Sequence, residues 1–173
     1  MKWLCLVFAL TSLCASAQIP DLVVKHWEVL TADGGTWIAD NSAYMNDTEQ
    51  ADAYGISWTY GVGKTSVVGR LFGMKDGKDF GTFWEFRVFY HPGDKKLMYH
   101  QYGWGAGLGI AEMKLIDHTR SEDVVTLMYP DGTSSKVKHE NDTRADIQYA
   151  QSYEWTDGEW KKQRYYEWKK KVE

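Results

Sequence analysis

Apolar and polar residues alternate with a period of two along most of this chain, the mark of strands with one face buried and one in water. From Gly35 onward, short runs rich in Val, Ile, Tyr, Phe and Trp are separated by Gly and Asp. The pattern predicts ten strands, over 36–42, 54–60, 65–72, 82–90, 97–104, 108–117, 123–129, 135–140, 147–155 and 160–169. No helical periodicity separates them, which argues against a parallel sheet of βαβ units. One short helix is predicted ahead of them, opened by Pro20-Asp21, carrying Leu22, Val23 and Trp27 and ending near Leu30. The fold class that follows is all-β: an antiparallel meander barrel of about ten strands with a short N-terminal helix.

Turn chemistry supports hairpins. Asp157-Gly158 lies between two aromatic strands and suits a type I′ turn, which needs φ > 0 at both central residues. Asp76-Gly77, His91-Pro92-Gly93-Asp94 and Pro130-Asp131-Gly132 mark three more turns. Counting outward from Asp157-Gly158 pairs Trp155 with Trp160, Tyr153 with Lys162, Gln151 with Arg164, Tyr149 with Tyr166 and Ile147 with Trp168. The alternate face pairs Glu154 with Lys161, Ser152 with Gln163 and Gln148 with Glu167, and is expected in water. The first face is aromatic and is expected inside, with Arg164 and Gln151 side by side at its centre. A buried Arg is costly unless it is paired or used.

The hairpin 82–104 has two candidate inner faces. Trp84, Phe86, Val88, Tyr99 and Gln101 form the less charged one, expected inside. The other carries Phe83, Glu85, Arg87, Phe89, His100, Tyr102 and Trp104; turned inward, it would gather Glu85, Arg87 and His100 into a buried acid/base cluster.

Composition narrows the partners. The chain has 20 Lys and Arg against 24 Asp and Glu, a net charge of −4. That balance argues against nucleic acid, which is bound through a basic field. Nine Trp and eleven Tyr suit strands, and they suit binding surfaces that need broad apolar area with a polar tip. Both cysteines, Cys5 and Cys14, fall in the first 17 residues. There, Lys2 precedes an apolar run from Trp3 to Leu13, too short to span a bilayer as a helix, and Ala15-Ser16-Ala17 offers small residues for cleavage. Residues 1–17 are therefore expected to be a signal peptide and 18–173 a single domain, secreted or periplasmic, with no membrane span. A lipoprotein reading through Cys14 is disfavoured by Leu13 before it. The domain then lacks any thiol for a disulfide, a nucleophile or a metal.

Other motifs reduce to turns or bends. Gly61-Val62-Gly63-Lys64-Thr65-Ser66 resembles the end of a phosphate loop, but Trp58 stands where its first Gly belongs. Gly103, Gly105, Gly107 and Gly109 leave one face of the chain bare, which lets a bulky aromatic, a strand or a ligand approach, or lets the barrel bend. His26, His91, His100, His118 and His139 show no metal spacing, and no metal or other cofactor is expected. Asn46-Asp47-Thr48 and Asn141-Asp142-Thr143 are glycosylation acceptors if the source is eukaryotic.

Gly35-Thr36-Trp37, opening the first strand, resembles the Gly-x-Trp start of lipocalin-like (calycin) barrels. The closing Tyr165-Tyr166-Glu167-Trp168-Lys169-Lys170 strand is similar to that of bacterial exported lipocalin-like domains of unassigned function. Nitrobindin-like haem barrels share the Gly-x-Trp, but they use a His near the chain's end, and none follows His139 here. The resemblance implies a barrel fold and leaves the ligand open.

The expected function is binding of a small, partly apolar, anion-bearing molecule. Arg164 and Gln151 are its polar anchors, and Tyr149, Tyr153, Tyr166, Trp168, Trp84 and Tyr99 its walls. The alternatives are a hydrolase or isomerase using Glu85 and His100, and a structural domain whose core is filled by its own side chains. The oligomeric state is open. Cleavage after Ala17 makes a measurable statement: the intact mass of the exported protein should correspond to a chain starting at Gln18, free or cyclised. A chain that retains Met1, or one lipidated at Cys14, contradicts it.

Overall fold

The computed structural model describes residues 18–171. The expected leader, 1–17, lies outside the described residues. Helix α1 (Asp21–Thr31) is followed by ten strands: β1 (Thr36–Asp40), β2 (Ala53–Tyr60), β3 (Ser66–Lys75), β4 (Lys78–His91), β5 (Lys96–Gly103), β6 (Gly107–Leu115), β7 (Arg120–Met128), β8 (Ser134–Thr143), β9 (Ile147–Thr156) and β10 (Glu159–Lys170). Each strand pairs antiparallel with its sequence neighbours, and β1 pairs with β10, so the sheet closes into a barrel with no free edge. The all-β meander barrel with a short N-terminal helix is thus the observed fold. No described helix is long and apolar enough to cross a membrane.

Alternation in each strand builds the core. Along β7, Ser121, Asp123, Val125 and Leu127 are buried while their neighbours are more open. Val67, Val88 and Val125 are fully buried and sit with Trp58, Phe86 and Trp168 in one cluster. Because the strands alternate in direction, α1 and the connections after β2, β4, β6 and β8 share one end of the barrel. The long connection 41–52 and the tight tips share the other.

Helix α1 plugs its end. Its buried face is Val23, His26, Trp27 and Leu30, and the rest faces out. Trp37 on β1 is wholly buried, and its indole N–H donates to the Leu30 carbonyl at 3.2 Å, meeting one of the acceptors a helix end leaves open. His26 bonds the His118 carbonyl through Nδ1 at 3.1 Å, tying the helix to the β6–β7 connection. Burial holds the His26 pKa below its ordinary value, so the ring is neutral near pH 7.

The terminal hairpin follows the expected register only near its turn. Asp157 and Gly158 have φ of 56° and 83°, and Trp155 faces Trp160, Glu154 faces Lys161 and Tyr153 faces Lys162. Then β10 carries one extra residue: Tyr165, not Arg164, faces Gln151, and Trp168 faces Gln148. This β-bulge swaps the faces of β10 relative to β9. Beyond it, Arg164, Tyr166 and Trp168 point inward opposite the even residues of β9. The odd residues, Tyr149 and Tyr153, point outward. The expectation that all of them share one inner face is corrected by that single residue.

The glycine-rich stretch makes room for an aromatic ring. A Cβ on Gly103 would lie 2.4 Å from the Trp84 ring, so the bare face is occupied by that indole. The tip of the last hairpin is testable. Gly158→Val should cost about 1–3 kcal/mol, the scale of a strained backbone position. Asp157→Pro should cost more, because proline cannot reach positive φ. Urea denaturation that leaves both variants as stable as the parent would contradict the turn.

Candidate functional site

A cavity of about 360 Å³ occupies the barrel interior. Its floor is His26 and Leu30 of α1, and its two sides differ in chemistry. Strands β2, β3 and β4 supply Ile56, Trp58, Leu71, Trp84, Phe86 and Val88. Here Trp58 and Phe86 stack with centroids 5.6 Å apart, and Phe86 meets Tyr99 at 5.8 Å. Strands β7, β8 and β9 supply the polar groups, Ser121, Asp123, His139, Asn141, Gln148 and Ser152, set among Leu127, Val137 and Ala150. The cavity is therefore amphipathic across its width, one wall apolar and largely aromatic and the other carrying its polar groups.

The polar wall centres on a carboxylate–imidazole pair. Asp123 and His139 are cross-strand partners on β7 and β8. His139 Nδ1 and Asp123 Oδ1 are 2.9 Å apart. The Asp123 side chain is only 2% exposed; the 30% exposure of His139 opens into the cavity it lines. Burial of the ring works against protonation, yet the charge and hydrogen bond of Asp123 outweigh it and raise the His139 pKa. Asp123 also helps to raise the pKa of Tyr99, after burial, and Tyr99 donates to Gln101 at 2.9 Å. Gln148 is 92% buried on the same wall, and its Oε1 has no hydrogen-bond partner.

The far end of the cavity opens through a vestibule of about 380 Å³ lined by Tyr54, Leu71, Phe83, Trp84, Trp104, Arg164, Tyr166 and Trp168. Arg164 stands at the boundary, lining both spaces. It is paired. Its two terminal nitrogens donate to the two carboxylate oxygens of Glu49, each at 2.5 Å. Glu49 lies in the 41–52 connection and also accepts from Asn41 at 2.9 Å and Tyr54 at 2.8 Å. These bonds, Arg164 foremost, hold the Glu49 carboxyl down to about 2. Arg164 itself is held above its ordinary value, first by its bond to Glu49.

The bulge exposes backbone groups that side chains take up. The Tyr44 hydroxyl accepts from the Tyr165 N–H at 2.9 Å, and Ser152 Oγ accepts from the Arg164 N–H at 3.1 Å. Gln151 Nε2 donates to the Arg164 carbonyl at 3.1 Å. Tyr166 donates to Asn41 at 2.7 Å, completing the clasp of the 41–52 connection onto β10.

Six of the eight sequence-predicted site residues meet at the cavity: Arg164, Gln151, Tyr166, Trp168, Trp84 and Tyr99. Gln151 serves the bulge backbone rather than the guanidinium. Tyr149 and Tyr153 are elsewhere, on the outer face, under Arg144 and Lys138 respectively. Glu85 and Arg87 are exposed on the outside of β4, and His100 packs edge-on against Phe89 there. They form no buried acid/base cluster. Asn141 lines the cavity, so only Asn46, exposed in the 41–52 connection, presents its acceptor tripeptide to solvent. Sequence reasoning missed Asp123, His139, Gln148 and Glu49. Extending the predicted strands 123–129 and 135–140 to their observed bounds places Asp123 and His139 mid-strand on inward positions, the signal that shorter strands hid.

The fold and cavity define a closed antiparallel barrel with an amphipathic interior. Compared with protein-family models and with curated proteins, the chain matches none.

The Arg164–Glu49 pair generates a double test. Arg164 is 39% exposed and Glu49 16%, so solvent reduces the 3–5 kcal/mol typical of a broken buried pair. Arg164→Met and Glu49→Gln should each cost about 1–3 kcal/mol. The double variant should cost clearly less than the sum, as a double-mutant cycle reads. Glu49 titrates at about 2 when folded against 4.5 for the free group, so its contribution is complete above pH 4.5 and disappears as pH falls toward 2. Glu49→Gln should flatten that acid limb; an unchanged limb contradicts the assignment.

Proposed function

We propose that this protein is an exported carrier that holds a small, partly apolar molecule inside a calycin-like barrel. The observation that carries this reading is the interior cavity, of ligand size, with an aromatic wall facing a polar one. A barrel filled by its own side chains would have no use for a partnerless Gln148 acceptor or for a carboxylate–imidazole pair beside open space. Arg164 is not a free anchor for an anion, because a ligand anion there would have to displace Glu49. Export rests on the leader at residues 1–17.

The test is direct. The purified protein, denatured and extracted, should release a small molecule identifiable by mass spectrometry. Ala150 lines the cavity, and Ala150→Phe fills part of it. That variant should remain folded, within the roughly 1–3 kcal/mol cost of overpacking, and should release none. A parent that carries nothing and takes up no small apolar or amphipathic compound in calorimetry sinks the reading.

A further inference from the structure

The polar wall has a sign. Arg164 is neutralised by Glu49, so the positive charge at the cavity mouth is already met. Deeper in, Asp123 is a buried carboxylate whose one ionisable hydrogen-bonding partner is His139. The opposite wall presents the rings of Trp58, Trp84 and Phe86, whose faces attract cations and repel anions. Gln148, nine-tenths buried on the polar wall, adds an acceptor oxygen with no donor. Asp123, Gln148 and the ring faces favour a hydrogen-bond donor carrying positive charge; the mouth pair favours neither sign, and against them stands the Trp58 indole N–H, a donor also without a partner.

We propose that the cavity takes a small organic ammonium, its charged head at Asp123 and its apolar body against the Trp58, Trp84 and Phe86 wall. This rests on the carrier reading and names its ligand class. It also reverses the anionic ligand expected from Arg164 alone. The head group replaces the imidazolium proton as the counter-charge of Asp123, and that proton leaves His139 for solvent. Binding is therefore linked to proton release. Affinity rises with pH through the raised pKa of His139 and falls on acidification. An anionic ligand would show the opposite slope, because it would need the imidazolium.

The other charged or titratable groups facing the pair do not supply this slope. His26 on the floor is held neutral by burial. Tyr99 and Tyr166 have raised pKa values, burial being the first cause for each, and stay neutral. Arg164 and Glu49 hold each other ionised. On β7 and β8 the neighbouring Glu122, Lys138 and Glu140 point to the outer face, where Lys138 pairs with Glu140 and Glu122 with Lys114.

Three probes of one shape decide it: tryptamine, tryptophol and indole-3-propionate, titrated calorimetrically into the full domain between pH 5 and 9. An alkylammonium stays charged to about pH 10, so the amine's charge is constant over that range. Tryptamine should bind about tenfold or more tightly than tryptophol at pH 8, the scale of one charge-assisted hydrogen bond. Indole-3-propionate should bind weakest. The amine's advantage should shrink toward pH 5 and vanish in Asp123→Asn, with folding checked by near-ultraviolet circular dichroism. Should Asp123→Asn unfold, His139→Gln decides: it keeps the amine preference and loses the pH slope, and loss of the preference overturns the proposal. Equal binding of amine and alcohol overturns the ammonium assignment and leaves the carrier reading standing. Tightest binding of the carboxylate overturns it as well. Binding of none of the three by folded protein overturns the ammonium assignment as well, and the carrier reading is then decided by the extraction and uptake test alone.

Discussion

One extra residue in β10 decides what meets inside this barrel. The bulge at Gln163 and Arg164 exchanges the faces of the strand halfway along, so a side chain that would lie outside by uninterrupted pairing lies inside. Such a bulge leaves backbone groups without ladder partners, and it is held because Tyr44, Gln151 and Ser152 supply them. The same turn of chain presents Arg164 to Glu49. The 41–52 connection is thereby fixed against β10 by its own polar groups, and the cavity acquires a defined mouth. Registry, loop position and charge at the mouth are three results of one insertion.

Inside, electrostatics follows from what water can reach. Glu49 and Arg164 are partly solvated and gain most from direct bidentate geometry, which fixes the loop more than it stabilises the fold. Asp123 is almost wholly enclosed, and its charge must be met by the protein or by a guest. His139 meets it only in its protonated form. A site of this kind is poised between two counter-ions, a proton and anything cationic that fits, which is how a buried carboxylate becomes selective without extra contacts.

The architecture was legible because strand alternation and turn residues act locally. All ten strands and the helix fall where the pattern places them, with ends displaced by a few residues. Trp84, Phe86, Val88, Tyr99 and Gln101 are on the inner face because the pairing of β4 with β5 runs without a shift from Trp84 onward, the irregularities of β4 against β3 lying before it, and charge distinguishes the two sides. Tyr149 and Tyr153 were misplaced for the complementary reason. A bulge has no local sequence signature here, and parity carried past it inverts every assignment. The partner of Arg164 was illegible on different grounds: Glu49 lies 115 residues away in an irregular connection, where no periodicity constrains which way a side chain points. The Asp123–His139 pair needed only correct strand ends, which pattern reading locates least well.

The closure of the barrel has a kinetic meaning. Nine of the ten strand pairings join sequence neighbours, each a hairpin that forms locally and quickly. The tenth joins the first strand to the last, through only two residue pairs, Trp37 with Lys170 and Ile38 with Lys169. Bringing them together closes a loop of more than a hundred residues, the largest entropic step in the assembly. Without that seam the sheet has two unprotected edges and the interior is not enclosed; the compartment exists only through those two residue pairs.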